Sequence, residues 1–75
     1  MRLLVIEDED TLRTQLQSQF QKQGFSIDLA ADGEEGLFLG KEYPIDIAVV
    51  DLGLPKMSGM EAIRQIRASG KDFPI

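Results

Sequence analysis

The 75-residue chain contains no cysteine and no histidine. Without cysteine there is no disulfide scaffold and no thiolate zinc site. Without histidine there is no imidazole acid or base, and no Ser-His or Cys-His nucleophile. Positive charge is also scarce. Eight basic residues stand against thirteen acidic ones, a net charge of −5, so the chain lacks the electrostatic footprint of direct nucleic-acid binding. No apolar run approaches the roughly 18 residues of a membrane span. The short run Leu3-Leu4-Val5-Ile6 ends in acid, unlike a signal peptide.

What is present is an ordinary globular composition, 43% hydrophobic and 28% charged, which argues against disorder. The length suits one small domain or a piece of a larger one, burying about 60–65% of its unfolded surface. These features predict a soluble, acidic, intracellular α/β unit.

The chain reads as three repeats of strand then helix. Strands are expected over about 2–6, 25–30 and 45–50, and helices over about 11–23, 33–41 and 59–69, all in one unit with no second domain. Leu3 to Ile6 is continuously apolar, as in a strand buried on both faces. Leu12, Leu16 and Phe20 recur at helical spacing, and Gly24 suits a helix stop. Phe25, Ile27 and Leu29 alternate with smaller or polar residues, predicting a strand with one less buried face. Asp32 with Glu35, and Ser58 with Glu61, have capping-box spacing for the second and third helices. Leu37 and Phe38 are expected to be buried, as is a stripe of Met60, Ile63 and Ile66. Gly36 and Gly40 weaken the second helix. Ile47 to Val50 reads as a central strand, Gly70 closes the third helix, and Phe73-Pro74-Ile75 looks like the start of another strand. Such alternation implies right-handed crossovers and a parallel sheet.

Acidic residues stand where buried strands end: Glu7 and Asp8 after the first, Asp51 after the third. In an open parallel sheet, ligands bind beyond the carboxyl ends of strands where the strand order reverses. If the first and third strands are neighbours, with the second outside the first, the three carboxylates converge there. Three such groups repel one another and call for a hard cation; Mg²⁺ fits, because it takes few carboxylates and keeps sites for water and phosphate oxygens. A carboxylate beside Mg²⁺ can also act as a nucleophile and accept a phosphoryl group. The plainer alternative is that the acids cap helices or occupy turns, as Glu9 and Asp10 should at the first helix's positive end. On spacing alone, both readings of the strand-end acids stay open.

Leu3-Leu4-Val5-Ile6-Glu7-Asp8-Glu9, Val50-Asp51-Leu52-Gly53-Leu54-Pro55 and Ser58-Gly59-Met60 together resemble the receiver domain of bacterial two-component response regulators. The Asp-Leu-Gly-Leu-Pro form is most similar to the OmpR/PhoP branch, in its PhoP-type form. The resemblance implies a flavodoxin/CheY-like doubly wound parallel sheet of full order 2-1-3-4-5, with β1α1β2α2β3α3 and order 2-1-3 here. It implies that Asp51 is the phosphoacceptor for a sensor histidine kinase. Asp8 would ligate Mg²⁺ directly, together with Asp51 and the Gly53 backbone carbonyl, and Glu7 through water. Pro55 and Gly59 would shape the loop. Arg13, Gln17, Lys56 and Met57 are implied kinase contacts, although each also fits a solvated surface. Arg64, Arg67 and Lys71 suit the negative end of the third helix's dipole.

The resemblance places further parts beyond Ile75: a hydroxyl, a lysine and an aromatic switch residue, the homodimer face, and a winged-helix domain through which DNA would be bound. The expected role is a cytoplasmic, phosphorylation-dependent control of transcription, with no membrane partner. The third strand is then expected as an exposed edge, and the first helix as lacking a neighbour. The 75 residues are expected to be part of a longer polypeptide or to self-associate through that edge. An aspartyl phosphohydrolase is disfavoured because similar enzymes carry a second Asp two residues after the nucleophile, where this chain has Gly53. A degenerate interaction module is disfavoured by intact Glu7, Asp8 and Asp51. An FMN binder is disfavoured because the acids after the first strand repel phosphate.

Overall fold

The computed structural model describes residues 1–75. Strands and helices alternate as β1 (Arg2–Ile6), α1 (Asp10–Lys22), β2 (Ser26–Ala30), α2 (Gly33–Glu42), β3 (Ile47–Val50) and α3 (Gly59–Ala68). β1 is central and pairs in parallel with both others, giving the order β2-β1-β3. Leu4 stands opposite Asp28 on one side and Ala48 on the other. This order sets the carboxyl ends of β1 and β3 side by side, at the position where Glu7, Asp8 and Asp51 leave the sheet.

The apolar run of β1 is buried along its length from Leu3 to Ile6. Period-2 alternation sends Leu4 and Ile6 to one face, where they form the core with Ala30, Ile45, Ala48, Leu54, Ile66 and Phe73. Leu3 and Val5 point to the other face, on the side of α1. Each helix start has a side-chain cap: the Glu9 carboxylate accepts from Thr11 and Leu12, Asp32 from Glu35, and Ser58 from Glu61. Gly24 and Gly70, with φ of +94° and +97°, end α1 and α3 in the left-handed conformation. At the opposite end of the sheet Arg2 ties β1 to β2 and to the segment that leads into β3. It forks onto Asp28 at 2.5 and 3.1 Å, its amide donates to Asp46 at 2.7 Å, and its guanidinium lies 4.8 Å from the Tyr43 ring centre.

Several sequence expectations need correction. β2 begins at Ser26 rather than Phe25, because the Phe25 amide donates to the Phe20 carbonyl (3.2 Å) and so belongs to the end of α1. β3 begins at Ile47 rather than Ile45, since Pro44 is the centre of a tight turn in which the Ile45 amide donates to the Tyr43 carbonyl. α1 and α3 end one residue earlier than expected and α2 one later. Phe38 is 57% exposed, because α2 turns its glycines inward and leaves Phe38 to pack edge-on against Tyr43. Met60 is 61% exposed. Ile66 is fully buried as expected, but the other inward positions of α3 are Gly59 and Ala62 rather than Met60 and the half-buried Ile63.

Gly36 and Gly40 have a packing reason that offsets their poor helix propensity. A Cβ on Gly36 would meet the Ile6 side chain, and one on Gly40 would meet Ile66 at 2.7 Å. The glycine face thus lets α2 lie close to β1 and α3. Arg64 pairs with Glu61 within α3 rather than with the helix end, and Glu61 therefore does not complete a capping box. Phe73-Pro74-Ile75 builds no strand ladder. Phe73 is nevertheless buried, and the Pro74 carbonyl accepts from the Ala48 amide at 2.9 Å, on the outer edge of β3.

Candidate functional site

Two backbone bonds carry the sheet past its strands and fix the site. The Glu7 amide donates to the Ala30 carbonyl at 3.0 Å, and the Asp51 amide donates to the Ile6 carbonyl at 2.9 Å. Glu7 and Asp51 are therefore anchored by ladder geometry rather than by loop conformation. The ligand oxygens of Glu7, Asp8 and Asp51 all lie within 4.8 Å of one another. Glu7 is buried, Asp51 half-buried and Asp8 exposed, so the cluster runs from the sheet end out to solvent.

The loop after β3 is shaped by close approach. A Cβ on Gly59 would strike the Asp51 carbonyl and the Leu52 backbone, and the Gly59 amide donates to Leu52 O at 3.1 Å. The Gly53 amide donates to Asp51 Oδ1 at 3.2 Å, which orients that carboxylate. The Pro55 carbonyl accepts from Met57 (2.7 Å) and from Gly33 (3.4 Å), tying the loop to the start of α2. Lys56 sits at φ +67° and its ammonium lies 3.6 Å from Asp32. Its side chain is exposed; Met57 is half-buried, with its carbonyl against Gly33.

Arg13 is not the free surface residue that its helical position suggested. Its side chain is only 18% exposed. One guanidinium nitrogen donates to the Glu7 carbonyl at 2.9 Å and another to the Asp10 carboxylate. Gln17, one turn further on, is half-buried. Sequence reasoning missed the Arg13 contact, although a signal existed: helical side chains lean toward the N-terminus, so an arginine in the first turn reaches back over the preceding loop.

The electrostatics follow from crowding. The Glu9 amide, donating to Glu7 at 3.1 Å, favours the charged form of Glu7. Burial and the neighbouring Asp8 and Asp51 carboxylates outweigh it and push the Glu7 carboxyl above its ordinary range. A cluster of three carboxylates with unbalanced negative charge, all oxygen donors and open on one side, fits a hard divalent cation of the Mg²⁺ type.

Against this geometry, the family model of the response regulator receiver domain matches residues 3–75. The chain belongs to the response regulator receiver family. Receiver domains are switch domains, and among the curated relatives of this receiver are transcriptional regulators of the OmpR/PhoP type. It is 51% identical over all 75 residues to the two-component response regulator PhoP of Pseudomonas aeruginosa, spanning 33% of that protein. It is 43% identical to the virulence transcriptional regulatory protein PhoP of Salmonella typhimurium, spanning 34% of it. The receiver thus spans about a third of the length of the curated relatives it matches.

Solved structures agree. The receiver domain of the hybrid histidine kinase CckA superposes with a TM-score of 0.90 at 30% identity, covering 99% of this chain and 70% of that one. The response regulator TrrA of Thermotoga maritima, solved in complex with Mg²⁺ and BeF, gives 0.89 at 36% identity, covering 96% and 63%.

Proposed function

We propose that Asp51 of this receiver accepts a phosphoryl group from a sensor histidine kinase, at a site where Glu7, Asp8 and Asp51 hold Mg²⁺. The observation that carries the reading is the convergence of the three carboxylates within 4.8 Å at the end of the sheet. In the transfer, an Asp51 carboxylate oxygen forms a bond to phosphorus while the phosphorus–nitrogen bond to the kinase histidine breaks, leaving neutral imidazole once protons balance. The Gly53 amide, donating to Oδ1, holds the Asp51 carboxylate in a fixed orientation for that attack. A bound Mg²⁺ supplies charge neutralisation and a place for phosphate oxygens. Asp8 and Asp51 would contact the ion directly, with the Gly53 carbonyl, and the buried Glu7 through water. Pro55 and Gly59 keep the loop in the shape that holds Asp51.

Phosphorylation in turn switches a DNA-binding output carried elsewhere in the full regulator, with homodimerisation as part of the response and the cytoplasm as its setting. The relatives' names and the OmpR/PhoP-type sequence support this role. Gly53, standing where an aspartyl phosphohydrolase of this fold would want a second acid, favours a switch over a turnover enzyme. Lys56, Met57 and Gln17 remain the candidate kinase contacts, while the half-buried guanidinium of Arg13 points to a different role.

The test is phosphoryl uptake from a small donor such as acetyl phosphate, with and without Mg²⁺, in the wild type and in Asp8→Asn. Uptake that requires Mg²⁺ and falls at least about tenfold in the variant is expected from loss of a metal ligand. Equal uptake without the ion would overturn the metal role.

A further inference from the structure

We infer that Arg13 is a positioning residue of the acidic site: its two-ended guanidinium clamps the β1–α1 loop so that Glu7 and Asp8 are presented together to a divalent cation. The inference rests on the metal reading of the site given above.

The loop from Glu7 to Glu9 has few other restraints. Its start is fixed by the Glu7 amide on Ala30 and its end by the Glu9 cap of α1. Between them, the Glu7 carboxylate accepts the Glu9 amide at 3.1 Å. Arg13 adds the bond that crosses the loop from outside, donating to the Glu7 carbonyl at 2.9 Å. Its second nitrogen is held by Asp10. Asp10 is itself largely exposed, whereas the Arg13 side chain is 18% exposed, so the guanidinium is packed down onto the loop rather than extended into solvent.

A planar fork reaches two acceptors at once, which the single ammonium of lysine does not do. The charge of Arg13 has the opposite effect on a cation, because a positive group beside the site repels it. Position and charge therefore predict different outcomes. A clamp, when lost, loosens the loop and weakens cation binding. A mere counter-charge, when lost, tightens it.

The decisive variant is Arg13→Lys, which keeps the charge and removes the fork; Arg13→Ala removes both. Arg64→Ala, in the exposed pair with Glu61, is the control. Two quantities are read on the 75-residue chain: exchange of the Glu9 amide in the absence of metal, and Mg²⁺ affinity by titration. In Arg13→Lys the Glu9 amide should exchange faster while the central Val5 amide does not, and the Mg²⁺ Kd should rise about tenfold, as for lost outer-shell partners. Arg64→Ala should stay within about twofold on both readouts, the scale of an exposed pair.

Unchanged Glu9 exchange in Arg13→Lys overturns the clamp. So does faster exchange with unchanged Mg²⁺ affinity. Tighter Mg²⁺ binding in Arg13→Ala with no change in Arg13→Lys would show a counter-charge alone. A wild-type chain that takes up no Mg²⁺ defeats the metal reading and, with it, the presentation of a cation. The exchange measurement then still decides whether Arg13 holds the loop.

Discussion

Glu7 is the one buried ionisable side chain of the receiver, and its position sets a pH dependence. Its carboxyl titrates above the ordinary 4.5 because burial and the neighbouring acids outweigh the Glu9 amide. A group whose folded value is raised stabilises the fold below its unfolded value and loses that contribution as pH rises through the folded one. In metal-free buffer, Glu7 should therefore become a growing liability as pH climbs from about 4.5 toward neutrality. Glu61 is shifted the other way by Arg64 and Gln65, so its contribution is lost only on further acidification. Glu7→Gln isolates the first effect: its thermal midpoint relative to wild type should rise with pH across that window. A difference independent of pH would contradict the crowded-site account. The three clustered acids were legible in the sequence because they stand within two residues of the ends of apolar strands, Glu7 and Asp8 after β1 and Asp51 after β3. The Arg13 contact was harder to see, since the pattern marked its helix turn as surface and only the backward lean of its side chain takes it to the loop.

Among the elements, α2 shows where periodicity misleads. Large apolar residues usually mark the inner face of a helix, but here Gly33, Gly36 and Gly40 are buried and Phe38 is not. The sheet and α3 lie too close for larger side chains. Gly36→Ala should accordingly destabilise the fold by about 1–3 kcal/mol in chemical denaturation, since the fully buried Ile6 has nowhere to move, despite alanine's better propensity. Gly24→Ala meets no atom within 4 Å. It should cost about 1–2 kcal/mol through the left-handed backbone alone, and its cost should not change when Ile6 is trimmed to valine. If trimming Ile6 leaves the cost of Gly36→Ala unchanged as well, close packing is not the reason for the glycine. Strand and helix types, the caps at Asp32 and Ser58, and the stops at Gly24 and Gly70 could all be read from residue chemistry. The inward faces of α2 and of the first turns of α3 could not, because small residues carry no hydrophobic signal: α3 buries Gly59 and Ala62 where Met60 and Ile63 were expected, and only Ile66 was marked correctly.

At the scale of the whole molecule, β3 is an edge strand with apolar residues on it, as the resemblance implied. Val49 is 36% exposed, and α1 buries none of its own residues completely. Only the Ala48 amide on this edge is covered, by Pro74. Such an edge favours pairing with another chain. The 75 residues should therefore show a sedimentation mass that rises with concentration, and Val49→Lys should shift it back toward monomer. A concentration-independent monomer in both would contradict the expectation. Strand order was legible only through the family resemblance, since the strand-end acids converge if that order holds but do not by themselves require it, whereas the degree to which the final residues cover β3 depends on a single backbone contact. The most direct test of the account is the intact mass of the receiver after incubation with acetyl phosphate and Mg²⁺, beside Asp51→Asn. The account predicts one added phosphoryl group on the wild type and none on the variant. An adduct that persists in Asp51→Asn, or a wild type that binds Mg²⁺ yet gains no phosphoryl group, would contradict it.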